Sequence, residues 1–185
     1  MANYMDISIS LSKAIFTTSD KGASTLYSWF KNDTYNQNRV LQEYIYLKYS
    51  QAVLFLHLYA QEHPDQKQFI FECLAEIDEL LDKSFACDPY SKCTLPEARQ
   101  RSIYYMNHIN AESSSPFCSA FIDKIGADAL VLNNANLFEM PNVVNYANGY
   151  IMSAIKTKGS SKNGGCLSTI ACMVAIALGL MALVI

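Results

Sequence analysis

Three histidines, six cysteines and a short run of carboxylates are the residues of this chain best suited to hold a metal or attack a substrate. Cys87 and Cys93 enclose the loop Asp88-Pro89-Tyr90-Ser91-Lys92, a spacing that differs from the Cys-x-x-Cys of zinc and redox sites. With Cys73, Cys118 or a histidine they would make a metal site only if the fold brought them together. Free cysteines otherwise behave as small apolar core residues. The carboxylates Glu72, Glu76, Asp78, Glu79 and Asp82 fall within three helical turns. Di-iron bundles pair such groups with Glu-x-x-His, and none of His57, His63 and His108 has a glutamate three residues before it. A solvated acidic helix face is therefore expected.

Nucleophilic catalysis needs a serine or cysteine, a histidine and a group that orients it. No recognised pattern of that kind is present, and the one Gly-Gly pair, Gly164-Gly165, sits in a linker rather than in a phosphate loop. His57 lies inside an apolar run and reads as a core residue. No catalytic residue, metal ligand or cofactor is assigned on these grounds. A membrane-tethered enzyme or metal protein built on the Cys/His residues stays as the alternative to a binding module. An effector placed in a host membrane is a third possibility.

The net charge is −3 and arginine occurs only at Arg39, Arg99 and Arg101. Without a clustered basic footprint, nucleic acid is not an expected partner. The N-terminal stretch MANYMDISISLSKAIF has no basic region leading into an unbroken apolar run. No cleavable signal is expected from it, so the thiols should remain free in a reducing cytosol.

Any such residues must be carried by helices. Leu11, Ala14 and Ile15 fit a helix face, although Ile7, Ile9 and Leu11 also alternate with serines as in a strand. After a turn-rich break at 17–22, a short helix should carry Leu26, Tyr27 and Phe30 inward beside Trp29. Asn36 to Glu62 reads as one long helix whose apolar half, Ala52 to Ala60, is too short for a bilayer and suits a buried core helix. His63-Pro64-Asp65 ends it. Phe69, Ile70, Cys73, Leu74, Ile77, Leu80 and Leu81 then form one continuous stripe, and the two helices should pair antiparallel across so short a connection.

A loop from Ala86 to Cys93 precedes Thr94-Leu95-Pro96-Glu97, which matches the reciprocal capping box. The helix it opens should bury Leu95, Ala98, Ser102, Tyr105, Met106 and Ile109. Ser115-Pro116 starts another, with Phe117, Cys118, Phe121, Ile122 and Ile125. Residues 127–140 are ambiguous. From Asn142 to Lys158 a second clean stripe runs through Val143, Val144, Ala147, Tyr150, Ile151, Ala154 and Ile155. Most of the many tyrosines are assigned to the core. The expected fold is all-α: an irregular helical bundle with a single C-terminal transmembrane helix.

Three segments result: a helical domain at 1–158, a flexible linker at 159–165 and a membrane segment at 166–185. Cys166 to Ile185 is uncharged throughout and about the length needed to cross a hydrocarbon core. Lys156, Lys158 and Lys162 precede it, an excess that keeps this side, and the helical domain, in the cytosol. A lipid-anchor signal of the GPI type would need a secretory signal as well. Ala171, Ala175 and Gly179 are spaced by four and form a small-residue ridge on which another helix can pack. Cys166 stands at the boundary, where S-palmitoylation occurs. The expected partners are the lipid bilayer and a protein, either a second copy held through the membrane helix or a target of the helical domain. The expected function is that of a tail-anchored interaction or adaptor module.

Overall fold

A computed structural model describes residues 4–30, 34–88, 92–109, 115–125 and 134–159. The described residues form helices and their connections, without strands. In chain order they are α1 (Tyr4–Phe16), α2 (Lys21–Trp29), α3 (Thr34–Glu62), α4 (Lys67–Cys87), α5 (Leu95–Met106), α6 (Ser115–Ile125) and α7 (Asn134–Gly159). A single 3-10 turn, Pro64–Gln66, joins α3 to α4. The serines of α1 do not make it a strand: Ile7, Leu11, Ala14 and Ile15 recur at helical spacing and are buried.

The long helix α3 is the axle, and every other helix packs on it. Tyr44, Ile45, Leu47, Ala52, Phe55, Leu56 and Tyr59 bury different sides of it, which explains why its sequence shows little amphipathic bias. Ala52, Val53, Phe55, Leu56 and Tyr59 of the Ala52–Ala60 run are core, with His57 the exposed exception, and among the described residues no helix is long and apolar enough to cross a membrane. Around α3 lie two apolar clusters. One joins α1, α3, α4, the start of α5 and the end of α7 through Leu11, Ile15, Leu56, Ile77, Leu81 and Ile151. The other joins α2, α3, α5, α6 and the middle of α7 through Leu26, Leu47, Tyr105, Phe121, Val143 and Ala147.

The stripe of α4 behaves as read: Ile70, Cys73, Ile77 and Leu81 are buried, and Phe85 extends it by one turn. This helix reaches Cys87, so the loop after it begins later than Ala86. Its chief neighbour is α1 rather than the sequence-adjacent α3, because the apolar stripe faces Ile7 and Leu11. Helix α7 begins at Asn134, not Asn142, and accommodates Pro141 internally. Proline removes one N–H from the ladder there. Buried Met140 and Val143 on either side hold the helix to the core.

Candidate functional site

The least expected feature of the interior is a lysine. Lys48 lies in the middle of α3 with no exposed side-chain surface, paired to Asp20 at 3.1 Å. Asp20 is the N-cap of α2: its Oδ1 accepts from the Ala23 N–H at 3.1 Å and from the Tyr44 hydroxyl at 2.7 Å, while Oδ2 accepts from Lys48 Nζ. Lys48 Nζ also donates to the Thr17 carbonyl, next to the end of α1. The rings of Tyr44 and Tyr150 lie 5.0 and 5.5 Å from the ammonium, within range for cation–π attraction. One amine thus straps the α1–α2 connection to α3 and α7.

Burial pushes the Lys48 pKa down, and the Asp20 carboxylate only partly restores it. The Tyr44 phenol is pushed far above its ordinary value by burial and then by Asp20, which keeps it a donor. Desolvating two ions costs several kcal/mol each, which a well-bonded pair only roughly repays. Three donors on Asp20 and two acceptors on Lys48 meet that condition.

A second polar seam runs between α3 and α5. Glu43 is buried and accepts from the Tyr105 hydroxyl at 2.6 Å and from Arg101 Nε at 3.0 Å. Burial nevertheless holds its carboxyl above the usual carboxylate range, against both bonds. Arg101 also reaches Glu97 at 3.4 Å. The Tyr46 hydroxyl donates to Glu97 at 2.9 Å and receives the Thr94 N–H at 3.1 Å and the Gln42 amide at 3.2 Å. The capping box is therefore not reciprocal. Thr94 caps the Glu97 N–H at 3.4 Å, but Tyr46 stands between the Glu97 carboxylate and the Thr94 N–H. Arg101, one turn on, engages the other oxygen of the same carboxylate.

The acidic face of α4 is also less uniform than expected. Glu72, Glu79 and Asp82 are exposed, but Asp78 accepts from the buried Tyr49 hydroxyl at 2.8 Å and from Arg99 at 2.7 and 3.0 Å. It ties α3, α4 and α5 together. Tyr44, Tyr46, Tyr49, Tyr59 and Tyr105 are core residues, each with its hydroxyl bonded to a carboxylate or an amide. Tyr27 departs from expectation: it is 52% exposed, while Leu26 and Phe30 face inward.

The cysteines and histidines stay apart. Cys73 is buried on α4, Cys118 is buried on α6, Cys93 is buried before α5 and Cys87 is exposed at the end of α4. Among the described residues no group of three His, Cys, Asp or Glu side chains is placed to hold a metal ion. His57 is exposed rather than in the core, its Nδ1 3.0 Å from the Val53 carbonyl oxygen. His63 stacks at 4.4 Å on Tyr59 and His108 at 4.5 Å on Tyr104. Cys166, Ala171, Ala175 and Gly179 lie outside the described residues.

On the surface, Ser10, Lys13 and Ala14 of α1 and Tyr150, Ser153 and Ala154 of α7 line a shallow open groove. Tyr150 both lines this groove and lies over the Lys48 ammonium. No family model, curated protein or solved structure matches the chain. The functional reading therefore rests on the residues themselves.

Proposed function

We propose that this protein is a tail-anchored membrane protein whose helical domain acts as an interaction or adaptor module on the cytosolic side. The observation that carries this reading is the uncharged stretch from Cys166 to Ile185 behind the linker at 159–165. Its length matches a bilayer span, and the lysines before it favour a cytosolic domain. Helix α7 supports the reading from the other side. It is built into both apolar clusters, so a membrane segment following it would be coupled to the whole bundle. The interior ionisable groups support a binding role over a catalytic one: buried Lys48, Asp20 and Glu43 and half-buried Arg101 are engaged in bonds between helices.

The test is membrane extraction. The full chain should remain with membranes after alkaline carbonate washing, and a chain ending at Gly159 should be released. Release of both would overturn the anchor. Stoichiometric metal in the purified full-length protein would instead favour the enzyme or metal-protein reading. Within this proposal the ridge of Ala171, Ala175 and Gly179 supports self-association. Gly179→Ile should then weaken the signal in a membrane two-hybrid assay, and an unchanged signal would remove the ridge from the account.

A further inference from the structure

The outer face of α1 offers a surface that the bundle does not cover. Met5 and Ile9 are 37% and 36% exposed, stand one helical turn apart, and are followed one turn later by exposed Lys13. Asp6 shares the polar flank of this face with Lys13.

The position of this face along α7 matters most. Lys21 lies 4.5 Å over the Tyr146 ring, Lys48 joins Thr17 to the Tyr150 ring, and Ser10 and Lys13 share a groove with Ser153. Numbering falls along the α1–α2 arm as it rises along α7, so α1 and α7 run antiparallel. From the groove, Met5 lies roughly 8 Å back along α1 and Gly159 roughly 9 Å forward along α7 at 1.5 Å per residue. Met5 is therefore level with the C-terminal end of α7. Residues 160–165 separate that end from Cys166, and even fully extended they reach only roughly 20 Å. After Glu139 the chain carries lysines at 156, 158 and 162 and no acidic residue.

We infer that the exposed face of α1, Met5, Ile9 and Lys13, rests on the surface of an anionic lipid bilayer, so that the helical domain lies against the membrane instead of swinging free. This rests on the tail-anchor reading. Apolar side chains enter the boundary between headgroups and acyl chains, while lysines meet anionic headgroups. The short linker makes this contact nearly intramolecular, so a small face suffices where it would not hold a free protein.

The experiment uses the full chain reconstituted into mixed phosphatidylcholine–phosphatidylserine vesicles, with and without brominated acyl chains. Trp29→Phe removes the one native tryptophan, and Ile9→Trp or Ile103→Trp supplies a reporter. Ile103 is 60% exposed on α5 and serves as the reference. Brominated lipid should lower Ile9→Trp emission about twofold, as shallow insertion predicts, and leave Ile103→Trp unchanged. Adding Lys13→Glu, or omitting phosphatidylserine, should reduce the quenching at position 9. Far-UV circular dichroism checks that each variant keeps the parent helicity, and the exposed position of Ile9 makes that the expected result. Equal emission changes at positions 9 and 103, in a protein that floats with the vesicles, would overturn the inference and leave the anchor standing. Failure to float would overturn both.

Discussion

Gly22 and Tyr44 meet so closely that the glycine admits no side chain: a Cβ at position 22 would lie 2.8 Å from Tyr44 Cζ and closer still to the hydroxyl. That hydroxyl cannot retreat, because it is buried and bonded to Asp20. Gly22→Ala would ordinarily favour a helix by about 1 kcal/mol. Here it should destabilise the domain by about 1–3 kcal/mol through overpacking, read as a lowered midpoint in thermal unfolding of the full chain. Adding Tyr44→Phe removes the clashing oxygen and should recover part of the loss. A rise in midpoint for Gly22→Ala alone would contradict the packing described.

The Lys48–Asp20 pair should couple strongly. Removing one partner leaves an uncompensated buried charge, at a cost of about 3–5 kcal/mol. Lys48→Met and Asp20→Asn should each be severe, and the double variant should be less destabilised than the sum of the two. A coupling of about 1–3 kcal/mol in a double-mutant cycle is expected for such neighbours. Strict additivity would show that the two charges do not depend on each other.

Glu43 gives a pH signature. Its folded pKa is raised by burial, so the folded state holds this proton where the unfolded state has released it. The associated stability is therefore greatest below the ordinary value of 4.5 and is lost as pH climbs from there through the raised value. The stability difference between the parent and Glu43→Gln should shift against the parent across that window in chemical denaturation. A difference independent of pH would mean that Glu43 titrates alike in both states.

Tyr46 replaces half of a capping box, so Tyr46→Phe should release the Thr94 N–H and leave the Glu97 carboxylate to Arg101 alone. A loss of about 1–2 kcal/mol is expected for the bonds removed. Hydrogen exchange should quicken at Thr94 and in the first turn of α5, with little change in α4. Unchanged protection at Thr94 would show that the tyrosine is dispensable there.

The thiols should separate by reactivity. Burial pushes Cys73 and Cys118 up to about 11, which lowers their thiolate fraction about 100-fold relative to an ordinary thiol. Alkylation of the folded protein, mapped by mass spectrometry, should label exposed Cys87 well before either. Equal labelling would indicate that α4 or α6 opens readily.

These contrasts follow the limits of what a sequence exposes. The stripe through Ile70, Cys73, Ile77 and Leu81 was legible because helical period and burial coincide along one short stretch. The same holds for Val143, Ala147, Ile151 and Ile155, and together they carry the all-helical architecture. The polar interior was not legible. Lys48 finds Asp20 across 28 positions and Arg101 finds Glu43 across 58, and no local period records such pairings. A lysine in an apolar run reads as the edge of that run, whereas here the helix buries it. One clue was available: Lys48 lies four residues from both Tyr44 and Ala52, on a row that is otherwise all core. His57 failed in the opposite sense, since an apolar neighbourhood in sequence still leaves room for one outward position per turn.

The central place of α3 also shapes how the domain comes into being. Helix α1 buries its apolar stripe chiefly against α4 and α7, and α7 is made last of the described helices. As the chain emerges during synthesis, Ile7, Leu11 and Ile15 have no complete partner until residue 155 or so has been added. The domain must therefore close after nearly all of it has been translated, and its first helix is the one that waits longest.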